Sequence, residues 1–180
     1  MINSIDYQKI FCEIAADFED SDNCGEVAKY IPELSKVDPK KLGIHLTTVE
    51  KTHHFYGDSN EKFSIQSISK VFSLALALKI MGGDIWNRVG VEPSGSAFNS
   101  LVQLEYERGI PRNPFINAGA IVICDILFSC LTDPKVELLE FIRKSSGISD
   151  IDYCSKIAES EKTMGFRNYA LINFMKDFGN

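Results

Sequence analysis

The sequence predicts an α+β fold, mostly helical, with one short β-hairpin placed ahead of the helices. Three observations carry this. Residues 42–49 (LGIHLTTV) are rich in β-branched and apolar residues, and 53–56 return after a polar Glu50-Lys51 turn, as hairpin strands do. Beyond residue 60 the apolar residues gather in runs long enough for helices, above all 63–81 and 118–131. Glycine, proline, serine and asparagine punctuate these runs at 57–60, 82–83, 92–96 and 111–114.

Residues 4–18 set Ile5, Ile10, Phe11, Ile14 and Phe18 among Asp6, Lys9, Glu13 and Asp17, which is an amphipathic helix pattern. It lacks the basic start and unbroken apolar run of a signal peptide. Residues 25–35 read as a second short helix, with Pro32 breaking or restarting it and leaving Tyr30 at a bend. After the hairpin, the helix running from Ser67 has apolar residues on nearly every side and stops at Gly82-Gly83, so it is expected to be buried all round. A loop at 92–96 leads into a polar stretch ending at Gly109. Pro111 and Pro114 then force extended or turning backbone just ahead of Asn117. The remainder reads as an apolar helix at 118–131, an amphipathic one at 136–144, a loop or short helix start at 147–153, a polar segment at 159–167 and a last helix at 168–177. The two strands want partners that the later sequence does not supply, because an isolated hairpin is marginal in water. Self-association through the unpaired edge, giving a homo-oligomer, is therefore expected.

With 180 residues, 44% hydrophobic and 24% charged, the chain fits one soluble globular domain, 1–180, with the 1–20 helix at its edge. A formal charge of −6 and scattered lysines and arginines give no footprint for nucleic acid or anionic lipid. No apolar stretch approaches the ~20 residues of a membrane span. The five cysteines (Cys12, Cys24, Cys124, Cys130 and Cys154) are odd in number and unpatterned, which points to a reducing, cytoplasmic setting. His45, His53 and His54 lack metal-ligand spacing and are assigned to the sheet surface; no phosphate-cradling loop, zinc spacing or dinucleotide fingerprint occurs, so neither metal nor cofactor is expected.

Chemistry enters at Ser67 and Lys70. Three residues along a helix is about 300° of rotation and ~4.5 Å of rise, so the two share a face. A serine hydroxyl needs a base to become a nucleophile, and a lysine serves as one when a dry site disfavours its charged form. Helix-start N–H groups near Ser67 can stabilise an oxyanion. The spacing alone decides little, since about one SxxK is expected by chance in a chain of this length. Ser67 as an N-cap and Lys70 as a snorkelling surface lysine fit equally well.

The segment FSIQSISKVFSLALAL (63–78) resembles the active-site segment of the serine-dependent glutaminases, which share the fold of serine β-lactamases and penicillin-binding proteins. Further blocks agree in order and spacing: EVAKYIPELS (26–35), GDSNEKFSIQSISK (57–70), VGVEPSGSAFNSL (89–101), NPFINAGAIV (113–122) and ESEKTMGFRN (159–168). The resemblance runs from Gly25 to the C-terminus and implies a β-lactamase/transpeptidase-like fold. It also implies hydrolysis of L-glutamine to glutamate and ammonia through a γ-glutamyl ester on Ser67, with Lys70 taking part in proton transfer. By the same resemblance Tyr30 reaches into the pocket with Gln66 supporting it, and Asn117, Glu161 and Asn168 hold the amino-acid head of the substrate. The chemistry suits that last set: Glu161 offers an anion for an ammonium, and the two amides offer donors for a carboxylate. Read singly, Asn117 and Asn168 also fit helix caps, Glu161 a solvated loop carboxylate and Tyr30 a packing aromatic.

The family's catalytic domain extends beyond this match. The remaining central strands, two pocket tyrosines and a K-S-G-like strand with the second oxyanion donor are expected to be missing, so a truncated domain is expected at Asn180. Two classes of function follow: an amidohydrolase, or a catalytically inactive glutaminase-like module that binds ligand or a partner. A β-lactam-acylated protein of the same superfold is the third, and NAGAIV and EPSG argue for glutaminase over it.

Overall fold

The computed structural model describes residues 5–20 and 25–180, which divide into two compact units, Met1–Ser64 and Ile65–Asn180. In the first, α1 (Tyr7–Asp20) begins after Asp6, whose carboxylate accepts the Lys9 N–H at 3.0 Å. Residue 4, where the helix was expected to start, lies outside the described residues, as does Cys24. Phe11 and Ala15, four residues apart and so on one face, are buried. That helix meets the hairpin: Gln8 Nε2 donates to the Phe55 carbonyl at 3.2 Å, and the Tyr7 and His54 rings lie 4.9 Å apart.

Strand β1 (Gly43–Thr47) pairs antiparallel with β2 (His53–Gly57), from Gly43 opposite Gly57 to Thr47 opposite His53. The turn between them closes with the Lys51 N–H on the Thr48 carbonyl, and Lys51 adopts a left-handed φ of 62°. Ile44, Leu46, His54 and Tyr56 are half-buried on one face; His45, Thr47, His53 and Phe55 are exposed on the other. The histidines thus lie on the sheet as expected, and among the described residues the sheet has these two strands alone.

Residues 25–35 correct the sequence reading. Instead of a helix, 25–29 carry no regular structure, Tyr30 sits at a bend as expected, and a single 3₁₀ turn forms at Leu34–Lys36. Pro32 is the physical reason: it has no N–H to donate and it disfavours helical backbone at Ile31.

The second unit is helical. A 3₁₀ turn, Gln66–Ile68, feeds α2 (Ser69–Met81), and a longer 3₁₀ segment, Gly82–Asn87, follows. Helix α3 (Leu101–Tyr106), capped by Ser100 accepting the Gln103 N–H, stands in what the sequence presented as a polar stretch. Helix α4 (Asn117–Cys130) is followed by α5 (Pro134–Ser146), which is capped by Asp133 and ends on left-handed Gly147. Helix α6 (Ser155–Thr163) takes up much of the segment expected to be merely polar, and α7 (Phe166–Asp177) closes the unit.

The core is organised on α4. Ala118, Val122 and Ile126 form one ridge and Ile123 and Leu127 the next, all buried against Leu76 and Ala77 of α2 and Leu171 and Met175 of α7, with Ile85, Val89 and Leu104 filling the ends. Each large aliphatic side chain buried here contributes about 1.5–3 kcal/mol. Helix α2 packs against α4 and α5. Its expected burial on all sides is not found: Ser73, Leu76 and Ala77 are buried, whereas Ile68, Val71 and Leu78 are exposed, because both packing partners lie on the other side.

Candidate active site

The Gln66–Ile68 turn places Ser67 ahead of α2 rather than within it, which refines the expected helix start. Gln66 opens the turn with a left-handed φ of 45°, unusual for a side chain with a Cβ. Its carbonyl is fixed by the Ser69 hydroxyl, which donates at 2.7 Å, and the Ile68 N–H closes on the Ile65 carbonyl. Ser67 lies in this turn and Lys70 in the first turn of α2, three residues further on. Ser67 is exposed and Lys70 half-buried.

Lys70 reaches across to the start of α4. Its Nζ donates to the Phe115 carbonyl at 2.9 Å and to Asn117 Oδ1 at 2.9 Å. Asn117 Nδ2 in turn donates to Asn168 Oδ1 at 3.3 Å. A lysine amine facing Asn117 fixes that amide with its oxygen toward Lys70 and its nitrogen toward Asn168. Burial holds the Lys70 ammonium below its ordinary value, and the negative charge of Glu161 opposes this. Lys70, Asn117 and Asn168 therefore form one hydrogen-bonded chain, with Glu161 acting on it electrostatically.

Asn117 is the first residue of α4 and Asn168 the third of α7, so both side chains join the polar chain instead of capping their helices. The Asn117 backbone N–H is held by the Phe98 carbonyl at 2.9 Å. Glu161 is exposed near the end of α6, and Gln66 is half-buried beside Ser67. Tyr30 belongs to the first unit, where it is 67% exposed at its bend.

Two contributors escaped the sequence reading. Phe115 acts through its carbonyl, for which side-chain identity gives no signal. Asn113 shapes the turn that presents it: its Oδ1 accepts the Phe115 and Ile116 N–H groups at 3.0 and 3.1 Å, and its Nδ2 donates to the Glu92 carbonyl at 2.8 Å. The Asn113-Pro114 dipeptide is the signal for that turn. Gly119 lets the turn sit against α4, since a Cβ there would lie 1.9 Å from the Asn113 carbonyl oxygen.

Known proteins resemble this chain in sequence and in fold. Residues 25–180 match the family described as Glutaminase. A glutaminase of Saccharophagus degradans is 67% identical over 99% of this chain, which covers 58% of that protein. A solved structure described as probable glutaminase ybaS superposes with a TM-score of 0.84 at 28% identity, over 97% of this chain and 58% of its own. A probable glutaminase from Bacillus subtilis, solved in complex with 6-diazo-5-oxo-L-norleucine, gives a TM-score of 0.69 at 31% identity over 97% of this chain and 50% of its own. The fold is thus that of the β-lactamase-like glutaminases, and the chain spans less than three fifths of the length of these relatives. By sequence and by fold, the chain belongs to the glutaminase family.

Proposed function

We propose that the chain carries the nucleophile half of an L-glutamine amidohydrolase site, with Ser67 as nucleophile and Lys70 as its base. The observation that carries this is the pair of acceptors around Lys70 Nζ. A neutral amine that donates its two N–H groups to Phe115 O and Asn117 Oδ1 keeps one lone pair, and Ser67 stands three residues before it. Burial of Lys70 favours that neutral form. Ser67 attacks the carboxamide carbon of glutamine as its hydroxyl proton passes to Lys70. The proton then goes to the departing nitrogen, which leaves as ammonia. Water attacks the γ-glutamyl ester by the reverse proton route, yielding glutamate and restoring Ser67.

Asn117, Asn168 and Glu161 are assigned to the amino-acid head of the substrate, with amides toward the carboxylate and Glu161 toward the ammonium. Tyr30 and Gln66 are assigned to the pocket wall. Both units are read as parts of one catalytic domain, because the family match runs across their boundary. A cytoplasmic setting is the reading of the unpatterned cysteines; the four described ones are free, and no helix among the described residues is long and apolar enough to cross a membrane.

The test is ammonia release from L-glutamine by the chain and by Ser67→Ala, together with intact-mass analysis after exposure to 6-diazo-5-oxo-L-norleucine. Ammonia above the Ser67→Ala background and a mass adduct on Ser67 are expected. No ammonia and no adduct would sink the proposal. The partial span of the relatives favours a second reading, a module that binds glutamine without turnover. An adduct or calorimetric binding with no ammonia would select it.

A further inference from the structure

Along the chain the histidines lack metal-ligand spacing, yet the hairpin supplies it in space. The β1–β2 register sets Thr47 opposite His53 and leaves His45, two residues before Thr47, diagonal to it. Diagonal neighbours on one sheet face stay within reach of long and aromatic side chains. His45 Nε2 lies 3.4 Å from His53 Nδ1, although the two stand eight residues apart in the chain, and their ring centroids are 5.6 Å apart. Both residues are exposed. His54 belongs to the other face, where its ring meets that of Tyr7 at 4.9 Å.

A hydrogen bond between the two rings is long at that distance. A shared metal ion fits it: bonds of about 2.0–2.1 Å at a tetrahedral angle set two ligand nitrogens about 3.3–3.4 Å apart. Imidazole suits zinc, copper and nickel, whereas magnesium and calcium take oxygen ligands. The Thr47 hydroxyl lies 3.1 Å from the same His53 Nδ1. Donating there, it selects the tautomer with the proton on Nε2, which leaves Nδ1 its lone pair. Among the described residues no further His, Cys, Asp or Glu completes a group of three, so the other coordination positions fall to water.

We propose that His45 and His53 form a two-histidine site for a borderline divalent transition-metal ion of the Zn²⁺ type, which clips β1 to β2. His45 binds through Nε2 with its proton on Nδ1, and His53 through Nδ1 with its proton on Nε2. Any further proton held between the two nitrogens leaves to solvent as the ion enters. The clip has a physical use, because a two-stranded hairpin is marginal in water and an ion that binds only the paired strands stabilises them by mass action. The site draws on neither Ser67 nor Lys70, so it stands whether or not the chain turns over glutamine.

The experiment titrates Zn²⁺ into the tag-free 180-residue chain and reads binding at each histidine ring by NMR, which separates this site from the exposed cysteines. Saturable shifts of the His45 and His53 rings at one common affinity are expected. His45→Gln and His53→Gln, both at exposed positions, are expected to keep the helical circular dichroism and each to weaken binding at the remaining ring by at least about tenfold. His54→Gln is expected to leave that affinity unchanged. With free Zn²⁺ at about ten times the Kd, amide hydrogen exchange in residues 43–57 should slow by about tenfold in the parent and stay unchanged in His53→Gln. Rings that do not respond to Zn²⁺, or a His53→Gln chain whose His45 binds as tightly as in the parent, overturn the site. Binding through both histidines with unchanged exchange at 43–57 overturns the clip, because the ion then holds paired and unpaired strands alike.

Discussion

At Lys70 two effects oppose each other: partial burial disfavours the ammonium, and the negative Glu161 favours it. The net direction is downward, so burial wins. The sign for reactivity follows. In the proposed mechanism the neutral amine is the base, and its fraction grows as pH rises toward the lowered value. Labelling of Ser67 by 6-diazo-5-oxo-L-norleucine should therefore speed up with pH and level off at an inflection below 10.5. Glu161→Gln removes the opposing charge and should move that inflection lower, while Lys70→Met should abolish labelling. An inflection that stays put or rises in Glu161→Gln, read from rate against pH, would show that Glu161 does not act on Lys70. For folding, the unfolded chain holds this proton more tightly, so stability rises with pH between the lowered value and 10.5. Asn117, Asn168 and Glu161 were singled out by the family resemblance, since residue type alone fits helix caps and a solvated carboxylate equally well. The Phe115 carbonyl was not, because every residue carries one.

Scaled up to elements, the site depends on how the 113–117 turn meets α4. Asn113 closes the turn through its side chain, and Gly119 admits it by having no Cβ. Gly119→Ala would place a methyl group inside van der Waals distance of the Asn113 carbonyl, of Pro114 and of little that can move. A loss of at least about 3 kcal/mol is expected, together with displacement of the two acceptors of Lys70 and slower Ser67 labelling. The neighbouring Ala120→Gly should cost only about 1 kcal/mol, the ordinary helix penalty. Urea denaturation of both variants checks this, and a Gly119→Ala cost no larger than that of Ala120→Gly would refute the close approach. The same scale explains which elements the sequence revealed. Helices α2 and α4 stand out because long apolar runs outvote local noise. Helix α3 is six residues long with one buried leucine, Leu104, too short for an apolar period to reveal it. Helix α6 has no buried residue, and the sequence showed only a polar segment from 159 onward. At 25–35 the helical pattern was outvoted by a single proline.

For the whole molecule, the distribution of buried apolar residues sets a different expectation for each unit. The packed cluster runs from Leu76 to Met175 and lies entirely within Ile65–Asn180. In Met1–Ser64 the fully buried hydrophobic residues described are Phe11, Ala15 and Ile31, set around a two-stranded hairpin. Such a hairpin is marginal in water, and a segment of that size buries too small a fraction of its surface to be robust. A chain comprising residues 65–180 alone should therefore stay helical by far-UV circular dichroism and unfold in one cooperative urea transition with a slope of about 1–3 kcal/mol per molar. Residues 1–64 alone should show no such transition. Within the second unit, Ile123→Ala should lower the midpoint by an amount equivalent to about 2–5 kcal/mol, because Ile123 is 1% exposed at the centre of α4. Should 65–180 melt without a cooperative transition while the 180-residue chain keeps one, the second unit's stability would not reside in its own core, and the α4-centred account of the fold would fail.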